Sequence, residues 1–233
     1  MKLKIYWLQS LLVFSLLAGL STCGKKNSED TIPRRQLSLA EREELFAFSE
    51  GMRTSSNQYA SLTVAYGSII NATYLGAAAF YDINPNATAD NGCWVWSDQS
   101  GVAVRYCSSE TSTEFVFNVE VRFAAGAPFV RYYEARERKD GTSGSIRYFD
   151  PENGATLVAV LEWQINGSVL SWSFSVPESN DSINIVYNES TQAGTLQFRE
   201  AGVLTFESTW NNLTCSGTYN DIANGESGTW TCN

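Results

Sequence analysis

A two-residue hydrophobic period, which runs through the chain from Cys93 onward, limits the fold more than any other feature. Apolar and polar side chains alternate in residues 114–123 (EFVFNVEVRF), and residues 157–165, 169–176 and 202–210 repeat the pattern. Alternation of this kind places one set of side chains on each face of a β-strand. Strands with one apolar and one polar face are typical of an antiparallel sheet with one solvated side, and they argue against parallel βαβ units.

Helical patterns precede the strands. Ser38 and Glu41 have the spacing of a capping box, and apolar residues follow at helical intervals, which predicts a helix from about 39 to 53. Residues 57–80 would suit a strand or a helix, and we favour a helix. One face of that helix collects Leu62, Tyr66, Ile69, Thr73 and Ala77.

Together these patterns predict a mainly β fold in a single domain over residues 38–233. We count about ten to twelve such strands. The apolar face of the sheet that they form must be buried, either by closure of the sheet or by other elements packed against it. We expect a large antiparallel meander sheet, curled or barrel-like, with one or two N-terminal helices packed against it.

Four of the five cysteines flank predicted hairpins. Pairing Cys93 with Cys107 would put Gly101 in the turn, where a left-handed residue is favoured. Cys215 and Cys232 flank the last hairpin in the same way. Four cysteines allow three pairings, and we favour 93–107 and 215–232 in a structural role.

The N-terminal segment has the features of a targeting signal, and we do not expect it to be part of the folded domain. Lys2 and Lys4 precede a mostly apolar run over residues 6–20, which is short for a membrane span. A charged start, a short apolar run and small residues are typical of a secretory signal peptide, here residues 1–22. A membrane anchor helix is the alternative.

The residues Leu20-Ser21-Thr22-Cys23 resemble the lipobox of bacterial lipoproteins, in the looser form found in spirochaetes. The resemblance implies cleavage before Cys23 and a diacylglycerol on its sulfur. Residues 24–36 are polar, contain a proline and show no periodicity, so we expect residues 23–37 to form a flexible tether to the membrane. Gly24 is not the aspartate that retains enteric lipoproteins at the inner membrane, so the implied location is the outer membrane or cell surface. Alternatively, Cys23 is removed with an ordinary signal peptide.

Charge and composition exclude several functions. Without its first 22 residues the chain has 14 basic and 25 acidic residues, a net charge of −11. That sign argues against nucleic acid as a partner. The chain contains no histidine, which removes the commonest general base and metal ligand, and we expect no cofactor and no metal site.

Tryptophans are the candidate contacts for a ligand or partner. Trp94 and Trp96 lie on one face of the first predicted hairpin and are the better candidates for exposure. Trp163 and Trp172 share the apolar face of their strands, so core packing competes with ligand contact. These indoles would suit a glycan ligand.

Three functional hypotheses remain open. The first is a non-catalytic lipoprotein of the cell envelope that binds a protein or matrix partner. The second is a carrier that encloses an apolar ligand such as a lipid between sheet and helices, lined by some of Phe115, Phe117, Leu161, Trp163, Trp172 and Phe206. The third is a glycan-binding or glycan-hydrolysing protein, for which strand carboxylates such as Glu120, Glu162 and Glu207 could form a pair.

Overall fold

The computed structural model describes residues 37, 45–78 and 83–232. Two helices, α1 (Glu50–Arg53) and α2 (Gln58–Ala78), precede thirteen strands. The strands are β1 Thr88–Asp90, β2 Cys93–Ser97, β3 Ala103–Glu110, β4 Glu114–Arg122, β5 Val130–Arg138, β6 Ser143–Phe149, β7 Leu157–Asn166, β8 Val169–Val176, β9 Asp181–Asn188, β10 Ala193–Glu200, β11 Val203–Asn211, β12 Ser216–Asp221 and β13 Glu226–Thr231.

All thirteen strands form one antiparallel sheet in which each strand pairs with its neighbours in sequence. The prediction of a mainly β meander with N-terminal helices is therefore confirmed. Within the described residues β1 pairs only with β2 and β13 only with β12, so the sheet is not closed. The additional strand relative to the predicted range is accounted for by β1, which is only three residues long.

The first helix is much shorter than predicted. Of the predicted span 39–53, residues 39–44 lie outside the described part of the chain, and residues 45–49 are not helical. Tertiary hydrogen bonds hold this segment instead, because Leu45 N donates to Asn71 Oδ1 at 3.1 Å and Ser49 N donates to Asn212 Oδ1 at 2.9 Å. The N-cap is Ser49, which accepts a hydrogen bond from the Met52 amide.

The second helix is confirmed, since residues 57–80 were predicted and Gln58–Ala78 is observed. Its buried face is rotated slightly from the predicted one. Tyr66, Thr73 and Ala77 are buried as expected, whereas Leu62 and Ile69 are only partly buried. The buried face also includes Tyr59, Ala60, Thr63, Gly67, Ile70 and Tyr74.

Helix α2 covers one face of the sheet, which we call the helix face, and encloses the core there. The rings of Tyr66 and Phe198 stack with centroids 4.5 Å apart. Tyr148 Oη donates to the Thr73 carbonyl at 2.9 Å, and burial raises the pKa of Tyr148 well above its usual value. In the described part of the chain, neither helix is long and apolar enough to cross a membrane.

Both disulfides join the predicted cysteines, Cys93 to Cys107 and Cys215 to Cys232. The second packs against α1, where a Cβ on Gly51 would lie 2.5 Å from Cys215 Sγ. This contact holds the N-terminal segment against the last hairpin. Leu37, the final residue of the predicted tether, is 1% exposed and belongs to the core.

Candidate binding groove

The sheet face opposite α2, which we call the outer face, carries a groove that crosses the strands. Its two halves have volumes of about 640 and 730 Å³ and share Val186. One cross-strand line of residues, with one member on each strand from β4 to β13, runs through both halves. This groove row consists of Glu114, Arg138, Ser143, Gln164, Ser171, Val186, Thr195, Thr209, Thr218 and Thr229. Arg138 and Ser143 lie directly beside the last β5–β6 pair, Glu137 and Gly144.

The groove row follows from strand pairing. Ser171 lies opposite Val186, which lies opposite Thr195, and Thr195 lies opposite Thr209. Neighbouring strands are about 4.8 Å apart, so nine spacings give the row a length of about 43 Å along the sheet. A groove of that length and direction fits an elongated ligand better than a compact one.

The half of the groove over β8–β13 contains no charged residue among its sixteen lining residues. Its surroundings are strongly acidic, because residues 150–232 contain ten acidic residues and a single basic one, Arg199. Most of these carboxylates lie in turns or at strand ends, and Glu162 and Glu207 lie inside strands on the outer face. Glu207 is held by the side-chain amides of Gln197 and Asn220 at 3.4 and 3.1 Å.

The half over β4–β9 is charged at its β4–β7 end, where Glu114, Arg136, Arg138 and Glu162 line it. The two arginines have acidic partners on or near their own strand. Arg136 Nε lies 2.9 Å from a Glu134 oxygen, which raises the pKa of Arg136. Hydrogen bonds from Thr142 and Arg138 lower the pKa of Asp140 to about 2. In the hairpin tip of residues 131–140, the positive charge of each of these arginines is therefore offset by a neighbouring carboxylate.

Many polar groups of the groove face outward without a partner among the described residues. In the described part of the chain, several lining residues have side chains with no hydrogen bond to another residue, and these include Gln164, Ser171, Ser173, Asn184, Thr195 and Thr229. Thr209 and Thr218 are linked to each other, with their hydroxyl oxygens 2.8 Å apart. The groove therefore presents both hydrogen-bond donors and acceptors, strand after strand.

On the helix face, glycines accommodate tryptophan side chains directly behind the groove floor. Gly194 lies opposite Trp210, and Gly217 lies opposite both Trp210 and Trp230. A Cβ on Gly194 would lie 2.5 Å from Trp210 Cη2, and one on Gly217 would lie 2.5 Å from Trp230 Cζ2. Covering a strand glycine with an indole keeps the sheet packed where a side chain is missing.

The predicted tryptophan contacts are mostly buried. Trp94, Trp163 and Trp172 are 1%, 3% and 2% exposed, and Trp96 is partly buried against the core. Trp163 and Trp172 line the groove, but their side chains point to the helix face, so they present main chain to it. The expectation that Trp94 would be exposed is wrong, because its strand turns that face toward the core.

The strand glutamates do not form a hydrolytic pair. Glu162 and Glu207 lie in the same cross-strand line but four strands apart, which is about 19 Å. Carboxylates of glycoside hydrolases lie about 5 to 9.5 Å apart. Glu120 forms an ion pair with Arg105, with Arg105 Nη1 and Glu120 Oε2 3.0 Å apart, and it does not belong to the cross-strand line of Glu162 and Glu207.

Sequence reasoning missed the groove itself, although it correctly assigned the outer face as polar. Cys23, the predicted lipidation site, lies outside the described residues. No protein-family model, no curated protein and no solved structure matches this chain.

Proposed function

We propose that this protein is an exported, non-catalytic lipoprotein of the bacterial cell envelope that binds an elongated protein or matrix partner in its outer-face groove. A lipid on Cys23 would anchor it to the outer membrane or the cell surface. The observation that carries the proposal is the groove row, which continues through ten adjacent strands. Two disulfides and the lipobox-like segment support export.

The carrier hypothesis has less support. Five of its proposed lining residues are at most 3% exposed and pack in one core cluster with α2: Phe117, Leu161, Trp163, Trp172 and Phe206. A lipid would have to displace this packing, and displacing well-packed aromatic side chains costs several kcal/mol. The groove on the opposite face needs no such rearrangement.

The anchor is tested by Cys23→Ala in the full-length chain, expressed in its own cells and partitioned with Triton X-114. The lipidated protein enters the detergent phase, and we expect the variant to enter the aqueous phase. A variant that stays with the detergent would refute lipidation at this residue.

The groove is tested by sedimentation with washed envelopes of the producing cells. A lysine in the groove row, Thr195→Lys or Thr229→Lys, should reduce the bound fraction. It places a long charged side chain in the β8–β13 half of the groove, which has no charged lining residue. Thr156→Lys is the matched control, since Thr156 is exposed in the β6–β7 connection and does not line the groove. Equal binding by all three variants would refute the proposal.

A further inference from the structure

We infer that the occupant of the groove is a neutral linear polysaccharide that lies across the strands. This inference rests on the proposed function and specifies the ligand of the same groove. It follows from three properties of the lining: its charge, its hydrogen-bonding groups and its direction.

In the β8–β13 half of the groove, charge disfavours both polyanions and polycations as the ligand. The β8–β13 half has no charged lining residue, yet the surrounding part of the chain has ten acidic residues and one basic residue. An anionic polymer would be repelled by this field. A cationic polymer would place its charges over this half of the groove, which has no carboxylate to pair with them. Most of the surrounding carboxylates lie in turns or at strand ends. A neutral ligand is complementary to the β8–β13 half, which has no charged lining residue. At the other end of the groove Arg136 and Arg138 are paired with Glu134 and Asp140.

Hydrogen-bonding groups in the groove match a polyhydroxylated chain. The hydroxyls of Ser171, Thr195 and Thr229 and the amides of Gln164 and Asn184 have no partner among the described residues. Each sugar hydroxyl can donate and accept, so a glycan could satisfy both kinds of group along the row. Because neighbouring strands are about 4.8 Å apart, each strand places another set of these groups beneath the next segment of the glycan.

Direction and composition argue against a peptide. A peptide that extends a sheet pairs with an edge strand and runs parallel to the strands, whereas this groove crosses them. Protein interfaces rely on buried aromatic and arginine anchors. In the β8–β13 half the only aromatic lining residues are Trp210 and Trp230, each 2% exposed with its side chain on the helix face.

Because the tryptophans are buried, recognition here does not use stacking of a sugar on an exposed indole. Methyl groups of Thr195 and Thr209, with Val186, supply the apolar surface instead. We therefore expect binding to depend on the number of sugars in contact, with little affinity for monosaccharides and increasing affinity for longer chains.

The direct test is affinity electrophoresis of the full chain in native gels that contain one soluble polysaccharide each. The neutral probes are hydroxyethylcellulose, galactomannan and laminarin, and the anionic comparator is alginate. At least one neutral polymer should retard the protein, and alginate should not. Retardation by alginate alone, or by none of the four, would overturn the inference.

Variants locate the binding and test its chemistry. Thr195→Val keeps the shape of the side chain but removes its hydroxyl, and we expect a two- to tenfold loss of affinity, about one neutral hydrogen bond. Thr195→Ser should retain most of the affinity, Thr195→Lys should abolish retardation, and Thr156→Lys should leave it unchanged. Retardation that survives Thr195→Lys would place the glycan outside the groove and overturn the assignment.

Pretreated envelopes separate this inference from the proposed function. Binding that survives protease treatment of the envelopes and is lost after periodate oxidation of their sugars supports a glycan. Binding lost after protease but not after periodate identifies a protein partner, which overturns the inference and leaves the proposed function intact. Binding that does not depend on the groove variants refutes both.

Discussion

Replacing Gly194 by alanine tests whether the glycine–indole packing behind the groove holds the sheet together. Gly194 lies in the middle of β10, opposite Trp210, and its backbone does not need a positive φ. A Cβ at this position would lie 2.5 Å from Cη2 and 2.6 Å from Cε2 of that indole. Trp210 is 2% exposed and packs against Phe48 and Tyr187, so it has little room to move away.

Two opposing effects determine how much Gly194→Ala changes the free energy of unfolding. Alanine is favoured over glycine in a strand by about 0.5–1 kcal/mol, because glycine loses more backbone entropy on folding. Overpacking in a core costs about 1–3 kcal/mol. We therefore expect Gly194→Ala to change the free energy of unfolding by about 0 to 2.5 kcal/mol in the destabilising direction.

Gly228→Ala is the matched control. Gly228 also lies in a strand opposite an aromatic residue, Tyr219, but an added Cβ would approach that ring no closer than 3.1 Å. Tyr219 lies on β12, where its ring stacks on that of Tyr59, so the added Cβ is accommodated by a shift of edge strand β13 of a few tenths of an ångström. This variant should be neutral or stabilised by up to about 1 kcal/mol.

Urea unfolding with intact disulfides measures both variants, and a double-mutant cycle isolates the cause. In a Trp210→Leu background the clash is absent, so Gly194→Ala should become neutral or stabilising. The coupling energy between the two sites should be about 1–3 kcal/mol. If Gly194→Ala stabilises the protein, or if its effect is the same with and without Trp210, the packing argument is refuted.

Two further predictions concern covalent and ionic contacts. Replacing both Cys93 and Cys107 by serine opens a loop of 14 residues; this should cost about 3 kcal/mol and lower the Tm by about 6–12 °C, as measured by thermal unfolding against the oxidised parent. The hydrogen bond from Tyr59 to Glu226 raises the pKa of Tyr59 to about 12, so its stabilising contribution should be complete below pH 10 and be lost as the pH rises through about 12. Burial also raises the pKa of other tyrosines, including Tyr132, so the test is a difference between variants. The tyrosinate absorbance that develops near pH 12 should be smaller by one residue in Tyr59→Phe, and one residue's share should move to lower pH in Glu226→Gln; unchanged titration in both variants would contradict this assignment.

The strand pattern could be predicted because each strand has one buried and one solvated face. The alternation in residues 114–123 placed Phe117, Val119 and Val121 in the core, and all three are fully buried. Both disulfides followed from the same reasoning, since each joins the two strands of a predicted hairpin. Local pattern was sufficient wherever the contact partner was close in sequence.

Local pattern failed where the partner was distant. The predicted helix from about 39 to 53 has apolar residues at the right spacing, yet residues 45–49 run without helical structure. Asn212, more than 160 residues away in sequence, accepts from Ser49 N and donates to the Ala47 carbonyl at 2.9 Å. Tertiary hydrogen bonds of this kind outweigh helix propensity, which contributes only tenths of a kcal/mol per residue.

The groove was hidden for a related reason, although its residues belong to the same alternating pattern as the core. Each buried tryptophan of β11 and β13 has polar neighbours that point the other way, such as Thr209 and Asn211 beside Trp210. Which of these neighbours align across strands depends on turn lengths and on the three register shifts, at Val119/Glu120, Tyr148/Phe149 and Phe198/Arg199. A slip of one residue would exchange the two faces of a strand. The register that buries Trp210 and Trp230 over their glycines therefore also aligns Thr209, Thr218 and Thr229, so the groove is maintained by the packing of the opposite face.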